Sequence, residues 1–255
     1  MLGRLEAIAA KASRILWAKF EEGWGARVLR DKGDDVTREI DVEMEEYIYR
    51  ALRSSFEGGL LIAEEGGPYR WGDERYVFVL DPLDGSLNYA LGIPIFAISL
   101  AGGRLRSNTL DDLEYGVLAV PYAGSLYSVG PGTGAMLNGS PISRRDKPAN
   151  VALVAAGEGV PGELFAKLVG KGLKIRSLGC SSVELLMTAL GAAAAYVDIR
   201  GKLRALDVAA SLLLGKALGL YYVIYGDYSL DARGISIIAG ERSLVDELRG
   251  LRGGG

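Results

Sequence analysis

The sequence predicts a mixed fold, an α+β half followed by an α/β half, and three observations carry that prediction. Two helical periodicities open the chain, and five short strand-like runs separated by turns follow them. Beyond residue 150, strand and helix patterns alternate. Between the halves, Gly130 to Ala149 is rich in Gly, Pro, Asn and Ser, which places a boundary within it and divides the chain into 1–140 and 141–255.

Taken in order, Leu2 to Phe20 carries Leu5, Ile8, Ala9, Ile15 and Leu16 at helical spacing. Gly23 to Asp35 is polar, and its run Arg30 to Asp35 is too charged to be buried, so it reads as a mobile loop. Thr37 is placed to cap a second helix through Phe56, with Glu39, Asp41 and Glu43 near its positive end. Strands are predicted at Leu60–Ala63, Tyr76–Leu80, Phe96–Gly102, Tyr115–Val120 and Ser125–Val129, in a largely antiparallel sheet. The second half reads as strands at Val151–Ala156, Leu173–Ile175, Ala194–Ile199, Tyr221–Tyr225 and Ile235–Ala239. Helices are predicted at Gly162–Val169, Ser181–Leu190, Arg204–Leu218 and from Ser243 onward. No internal repeat is apparent.

Composition excludes much chemistry. The chain has no histidine, which removes imidazole acid–base work, phosphohistidine intermediates, Ser-His-Asp triads and imidazole metal ligation. The single Cys180 excludes an intrachain disulfide and a cysteine zinc cluster. With 29 basic and 32 acidic residues and a net charge of −3, no basic surface points to nucleic acid. No N-terminal stretch has the build of a secretory leader, and Lys216 and several glycines interrupt the most apolar stretch, Val208 to Tyr225. The expectation is a soluble cytoplasmic protein with no membrane partner. Absent Gln, scarce Asn and plentiful Arg and Glu lean toward a thermophilic source.

The richest stretch is Val77-Phe78-Val79-Leu80-Asp81-Pro82-Leu83-Asp84-Gly85-Ser86. A buried apolar strand ends in two carboxylates, Pro82 stops the ladder, and Gly85 permits a sharp turn. Two carboxylates on such a corner can converge on one point, as hard oxygen ligands of Mg²⁺ or Mn²⁺. An Asp-rich turn that only satisfies its own backbone is the alternative. Three further acidic points join it. Glu64 and Glu65 end a strand before Gly66-Gly67, Asp207 sits in the first turn of an apolar helix, and Asp41 lies in the first turns of the second helix. Read singly, each has a plainer explanation: a solvated turn, a helix-dipole partner, an exposed helix face.

In order along the chain these segments resemble the inositol monophosphatase family of the Mg²⁺-dependent, lithium-sensitive sugar phosphatases. The resemblance rests on Glu64-Glu65, on Asp81-Pro82-Leu83-Asp84-Gly85-Ser86-Leu87-Asn88-Tyr89 and on Leu206-Asp207-Val208-Ala209-Ala210. Thr37-Arg38-Glu39-Ile40-Asp41 and Ser177-Leu178-Gly179-Cys180-Ser181 support it. Asp198-Ile199-Arg200-Gly201-Lys202-Leu203-Arg204 is similar to the archaeal branch of dual inositol monophosphatase/fructose-1,6-bisphosphatases.

That resemblance implies a layered αβαβα sandwich, an active site between the two halves, a homodimer, and a phosphorylated polyol or sugar as substrate. It implies that Glu64, Asp81 and the Leu83 carbonyl hold one Mg²⁺ and that Asp81, Asp84 and Asp207 hold a second. Glu64 shares in a looser third, and Mn²⁺ is a substitute. Asp41 and Ser86 match the acid–hydroxyl pair that orients and deprotonates the attacking water, Glu65 supports metal-bound water, and the amides of Gly85 and Ser86 cradle the phosphate. Arg176, Gly179, Cys180, Ser181 and Arg200 fall at substrate-binding positions.

Two departures stand out. Ser86 replaces the commoner threonine and keeps the hydroxyl. Arg200 stands where animal enzymes carry a glutamate that grips inositol hydroxyls. A cation there suits a second phosphate, and Arg176, Lys202 and Arg204 are placed to add to such a pocket. The rivals are a phosphatase of 3′-phosphoadenosine nucleotides or NADP, and a regulatory binding protein, since some family members also bind transcription machinery.

Overall fold

In a computed structural model, residues 1–23, 28–31 and 36–251 are described. The elements are α1 (Leu2–Glu21), β1 (Val28–Asp31), β2 (Val36–Arg38), α2 (Glu39–Ser55), β3 (Gly59–Ala63), β4 (Tyr69–Trp71), β5 (Tyr76–Asp84) and α3 (Ser86–Ala90). There follow β6 (Ala97–Arg104), β7 (Leu113–Val120), β8 (Ser125–Gly130), β9 (Gly134–Leu137), β10 (Ser140–Pro141), β11 (Val151–Val154), α4 (Gly162–Gly170), β12 (Lys174–Arg176) and α5 (Ser181–Ala189). The chain continues through β13 (Ala195–Arg204), α6 (Ala205–Ala217), β14 (Tyr221–Tyr225), β15 (Arg233–Gly240) and α7 (Arg242–Leu248).

Strand alternation builds the layers. Along β5, Phe78 and Leu80 face one way and pack with Leu5 and Leu16 of α1 and Met44 and Ile48 of α2. Val77 and Val79 face the other way, into a core shared with Leu185 of α5 and Val208 of α6. Tyr196 and Ile237 of the second sheet close that same core, while Val197 and Ile238 face outward onto Leu164 of α4 and Val245 of α7. The result is five layers: α1 and α2, an eight-stranded sheet, α5 and α6, a five-stranded sheet, then α4 and α7. This is the mixed α/β sandwich that the sequence implies. α6 is apolar over most of its length because it lies in the central layer, and only its last turn, at Lys216, is exposed.

The first sheet runs β10-β9-β8-β7-β6-β5-β3-β4 and is antiparallel except at β3–β5. The second runs β12-β11-β13-β15-β14; its first three strands are parallel, and the other pairings are antiparallel. Three details depart from the sequence reading. Val28–Asp31 is a strand paired with Val36–Arg38, so part of the expected loop is a ladder and Thr37 lies in β2. The cap of α2 is Arg38, whose extended backbone (φ −108°, ψ 162°) donates its N–H to Asp41. β4, β9 and β10 are two to four residues long, too short for a period of two to show. The rest of the loop expected at Arg30 to Asp35 lies outside the described residues.

Candidate active site

The corner after β5 is where the site begins. Its pairing with β6 slips between Asp81 and Asp84, so the chain leaves the ladder there. Asp81 is buried, and its Oδ1 accepts the Leu83 N–H at 3.0 Å. Gly85 then takes φ +89°, and a Cβ at that position would meet the Ile95 carbonyl at 2.8 Å, so no other residue fits. Ser86 starts α3, and its Oγ accepts from Arg38 Nη1 at 3.0 Å.

Two helices bring further carboxylates by one repeated device. Arg38 caps α2 and Arg204 caps α6, each extended, with the carboxylate three residues on accepting the cap N–H: Asp41 Oδ2 at 2.7 Å and Asp207 Oδ2 at 2.8 Å. The guanidinium of each cap then reaches across the site, Arg38 to Ser86 and Arg204 Nη1 to Glu64 Oε1 at 2.9 Å. The spacing Arg-x-x-Asp at both helix starts is legible in the sequence, and it was the available signal for these two arginines. Arg204, expected beside Arg200 in an anion pocket, instead pairs with a candidate metal ligand.

Glu45, one turn after Asp41 on α2, is a second residue that sequence reasoning missed. Buried, it accepts the N–H groups of Glu65 and Gly66, both at 2.7 Å, and the Tyr69 hydroxyl at 2.9 Å. It therefore fixes the turn that carries Glu64 and Glu65.

Asp84 faces the start of α5. Its Oδ2 accepts from Ser182 N (2.6 Å), the Ser182 hydroxyl and Cys180 Sγ (3.1 Å), and its Oδ1 from Ser181 N (3.2 Å). Cys180 and Ser181 thus touch Asp84 itself. Gly179, at φ +72°, lies against Asn88, whose Nδ2 donates to the carbonyls of Leu178 and Ile95, both at 2.7 Å. Asn88 stitches α3 to the 177–180 loop. Buried Glu184 holds that loop from below by accepting the Leu178 N–H at 2.8 Å.

Arg200 is held in a fork by the fully buried Asp198, with Nε–Oδ1 at 3.0 Å and Nη2–Oδ2 at 2.6 Å. Arg176 lies exposed on the edge strand β12, with its Nη1 on the Ile175 carbonyl.

The electrostatics of the corner are those of crowded acids. Burial pushes Asp81 well above the usual carboxylate range, and the charges of Glu64, Asp84 and Asp207 push it further. Glu64 rises to about 8 and Asp207 to about 7, in both cases mainly through burial. Asp84 is also raised by burial, against the pull of its hydrogen bonds. Asp41 is raised to about 7 by burial, with the Arg38 N–H pulling the other way. A hard divalent cation fits this donor set, because it relieves the mutual repulsion of four oxygen ligands near one corner. Among the described residues, no three of these carboxylates already form one coordination shell.

The family model for the inositol monophosphatase family matches residues 3–249. A fructose-1,6-bisphosphatase/inositol-1-monophosphatase of Thermococcus kodakarensis is 35% identical over 76% of this chain and 72% of its own length. The Nus factor SuhB of Pseudomonas aeruginosa is 31% identical over 91% of this chain and 88% of its own. The solved structure of an IMPase from Thermotoga maritima superposes with a TM-score of 0.78 at 23% identity, covering 96% of this chain and 94% of that one, a likeness of fold.

Proposed function

The chain belongs to the inositol monophosphatase family, and from that premise we propose that it is a Mg²⁺-dependent phosphomonoesterase hydrolysing inositol 1-phosphate and fructose 1,6-bisphosphate. The observation that carries the reading is the strand corner after β5, where Asp81 and Asp84 leave the ladder and the cap of α6 ties Asp207 to Glu64 through Arg204. Glu64, Asp81, the Leu83 carbonyl, Asp84 and Asp207 would hold the metal, with Glu65 beside them. When bound, the metal supplies charge neutralisation at the phosphoryl oxygens and acidifies a water.

The chain's own groups do the rest. Asp41, raised to about 7, is poised to accept a proton near neutral pH. Arg38 ties it to Ser86, since the cap's N–H holds Asp41 and its guanidinium holds the Ser86 hydroxyl. The amides of Gly85 and Ser86 bind the phosphate. Arg200, its charge shared with Asp198, faces the remainder of the substrate and favours a second phosphate over a bare hydroxyl. Gly179, Cys180 and Ser181 shape the wall opposite, and Arg176 extends its positive field.

The name of the Pseudomonas aeruginosa relative favours a second reading, a regulatory binding role. Leu87, Leu91 and Ile93, exposed next to Ser86, give such a role, or the homodimer expected from the resemblance, an apolar face. Phosphate release from myo-inositol 1-phosphate and fructose 1,6-bisphosphate, with Mg²⁺ and with EDTA, tests both readings. Mg²⁺-dependent release from both substrates is expected. Release from inositol phosphate alone removes the role given to Arg200, and release from neither leaves nucleotide phosphates and then the binding role.

A further inference from the structure

The first two N–H groups of α5, those of Ser181 and Ser182, are accepted by Asp84 across 97 and 98 residues, so a candidate metal ligand also caps that helix. The two oxygens of its carboxylate are used unequally. Oδ2 accepts from Ser182 N at 2.6 Å, from the Ser182 hydroxyl and from Cys180 Sγ at 3.1 Å. Three donors fill the lone pairs of one carboxylate oxygen. Among the described residues, Oδ1 accepts only from Ser181 N, at the longer distance of 3.2 Å. Oδ1 is therefore the oxygen left with a lone pair for a cation.

Ser182 makes that difference. Its N–H and its hydroxyl both reach Oδ2, and the residue is fully buried. Its carbonyl is held in turn from α6, where the Ser211 hydroxyl donates to it at 2.8 Å. Ser211 is fully buried too, in a helix whose other buried residues are Ala, Leu, Val and Gly. A hydroxyl in such surroundings is costly unless it is bonded. It stands one turn after Asp207, on the same face of α6. One helix thus carries one candidate ligand and the support of another.

We propose that Ser182, backed by Ser211, is a positioning residue that fixes Asp84 by Oδ2 and leaves Oδ1 for the metal. The inference rests on the metal-dependent reading of the site and concerns which atom of Asp84 serves it. Without the hydroxyl, the Ser182 N–H remains as a pivot, and the carboxylate is free to turn about it. Hydrogen-bonding supports of metal ligands typically carry a tenfold or larger effect on metal affinity.

Mg²⁺ binding to the metal-free full chain, measured by titration calorimetry without substrate, tests this. Ser182→Ala should raise the Kd for Mg²⁺ roughly tenfold, and Ser211→Ala should raise it by a smaller factor. Ser128→Ala removes another buried hydroxyl, which donates to Glu6 of α1 at 2.6 Å. That variant should have a lower Tm in EDTA and an unchanged Kd. An unchanged Kd in Ser182→Ala, or an equal rise in Ser128→Ala, overturns the proposal and leaves the phosphatase reading standing. Wild-type protein that binds no Mg²⁺ overturns both. If Ser182→Ala does not fold, Ser211→Ala decides by the same measure, and an unchanged Kd there overturns the proposal.

Discussion

Arg204 Nη1 stands 2.9 Å from Glu64 Oε1, while the same residue's backbone N–H holds Asp207 at 2.8 Å, so one residue positions two candidate metal ligands from different layers. α6 presents its cap at the corner where β3 ends, and the pair spans the central core. Replacing Arg204 with Leu keeps the backbone cap and removes the counter-charge of a partly buried carboxylate. It should destabilise the metal-free protein by about 3 kcal/mol at pH 9, where Glu64 is ionised. The loss should shrink at pH 6, where Glu64 carries its proton. Denaturant midpoints at the two pH values check this, and an equal loss at both would contradict the pairing.

The crowded acids also set a pH dependence. Each is raised in the folded state, so folding is unpenalised below the unfolded values near 4 and loses stability as pH climbs through the folded ones. These are about 7 for Asp41 and Asp207 and about 8 for Glu64. In EDTA the Tm should therefore fall between pH 5 and roughly 9. Added Mg²⁺ should restore it most at the alkaline end, where its ligands are deprotonated. Parallel Tm curves with and without Mg²⁺ would contradict the metal assignment.

Glu184 gives a separate readout. Burial raises its carboxyl from 4.5 to about 7, so its ionisation costs stability across that interval and the full cost is felt above pH 7. Glu184→Gln keeps an oxygen for the Leu178 N–H and removes the charge. It should stabilise the protein by up to about 3 kcal/mol at pH 8 and leave it unchanged at pH 4. Melting curves at both pH values decide it.

Glu45 touches no proposed ligand through its side chain, yet it holds the backbone on which Glu64 and Glu65 sit. Glu45→Gln turns one accepting oxygen into a donor that faces N–H groups. The expected result is a cost of about 1–3 kcal/mol together with at least a tenfold drop in kcat and a weaker Mg²⁺ requirement curve. A stability loss with unchanged kcat and Mg²⁺ dependence would reduce Glu45 to a purely structural role.

Asp84→Asn should abolish Mg²⁺-dependent turnover. Because Asp84 also collects the N–H groups at the start of α5, the same change should lower stability by about 1–3 kcal/mol. Phosphate release and a urea midpoint on one preparation separate the two effects.

Sequence periodicity sufficed for α1, α2 and α4 to α7 and for the long strands, and the motifs for the candidate metal ligands, but the five-residue α3 and the buried Glu45 and Glu184 were not legible in it. Periodicity over eight or more residues, and a strand that stops at Asp81-Pro82-Leu83-Asp84-Gly85, are local properties that no packing is needed to reveal. The sequence also carried the layered sandwich, through the ordered motifs that resemble one family. Tertiary structure alone decided who faces whom. Arg38 reached Ser86 across 48 residues, Arg204 reached Glu64 across 140, and Asp84 met Ser182 across 98. Such pairings are set by which sheet faces close on one core, and no local pattern encodes them. The short strands β4, β9 and β10 exist for the same reason: their ladders are supplied by neighbours already in place. Arg200 shows the limit most clearly, since its charge was legible at once, but the buried Asp198 that shares it appears only when β13 folds.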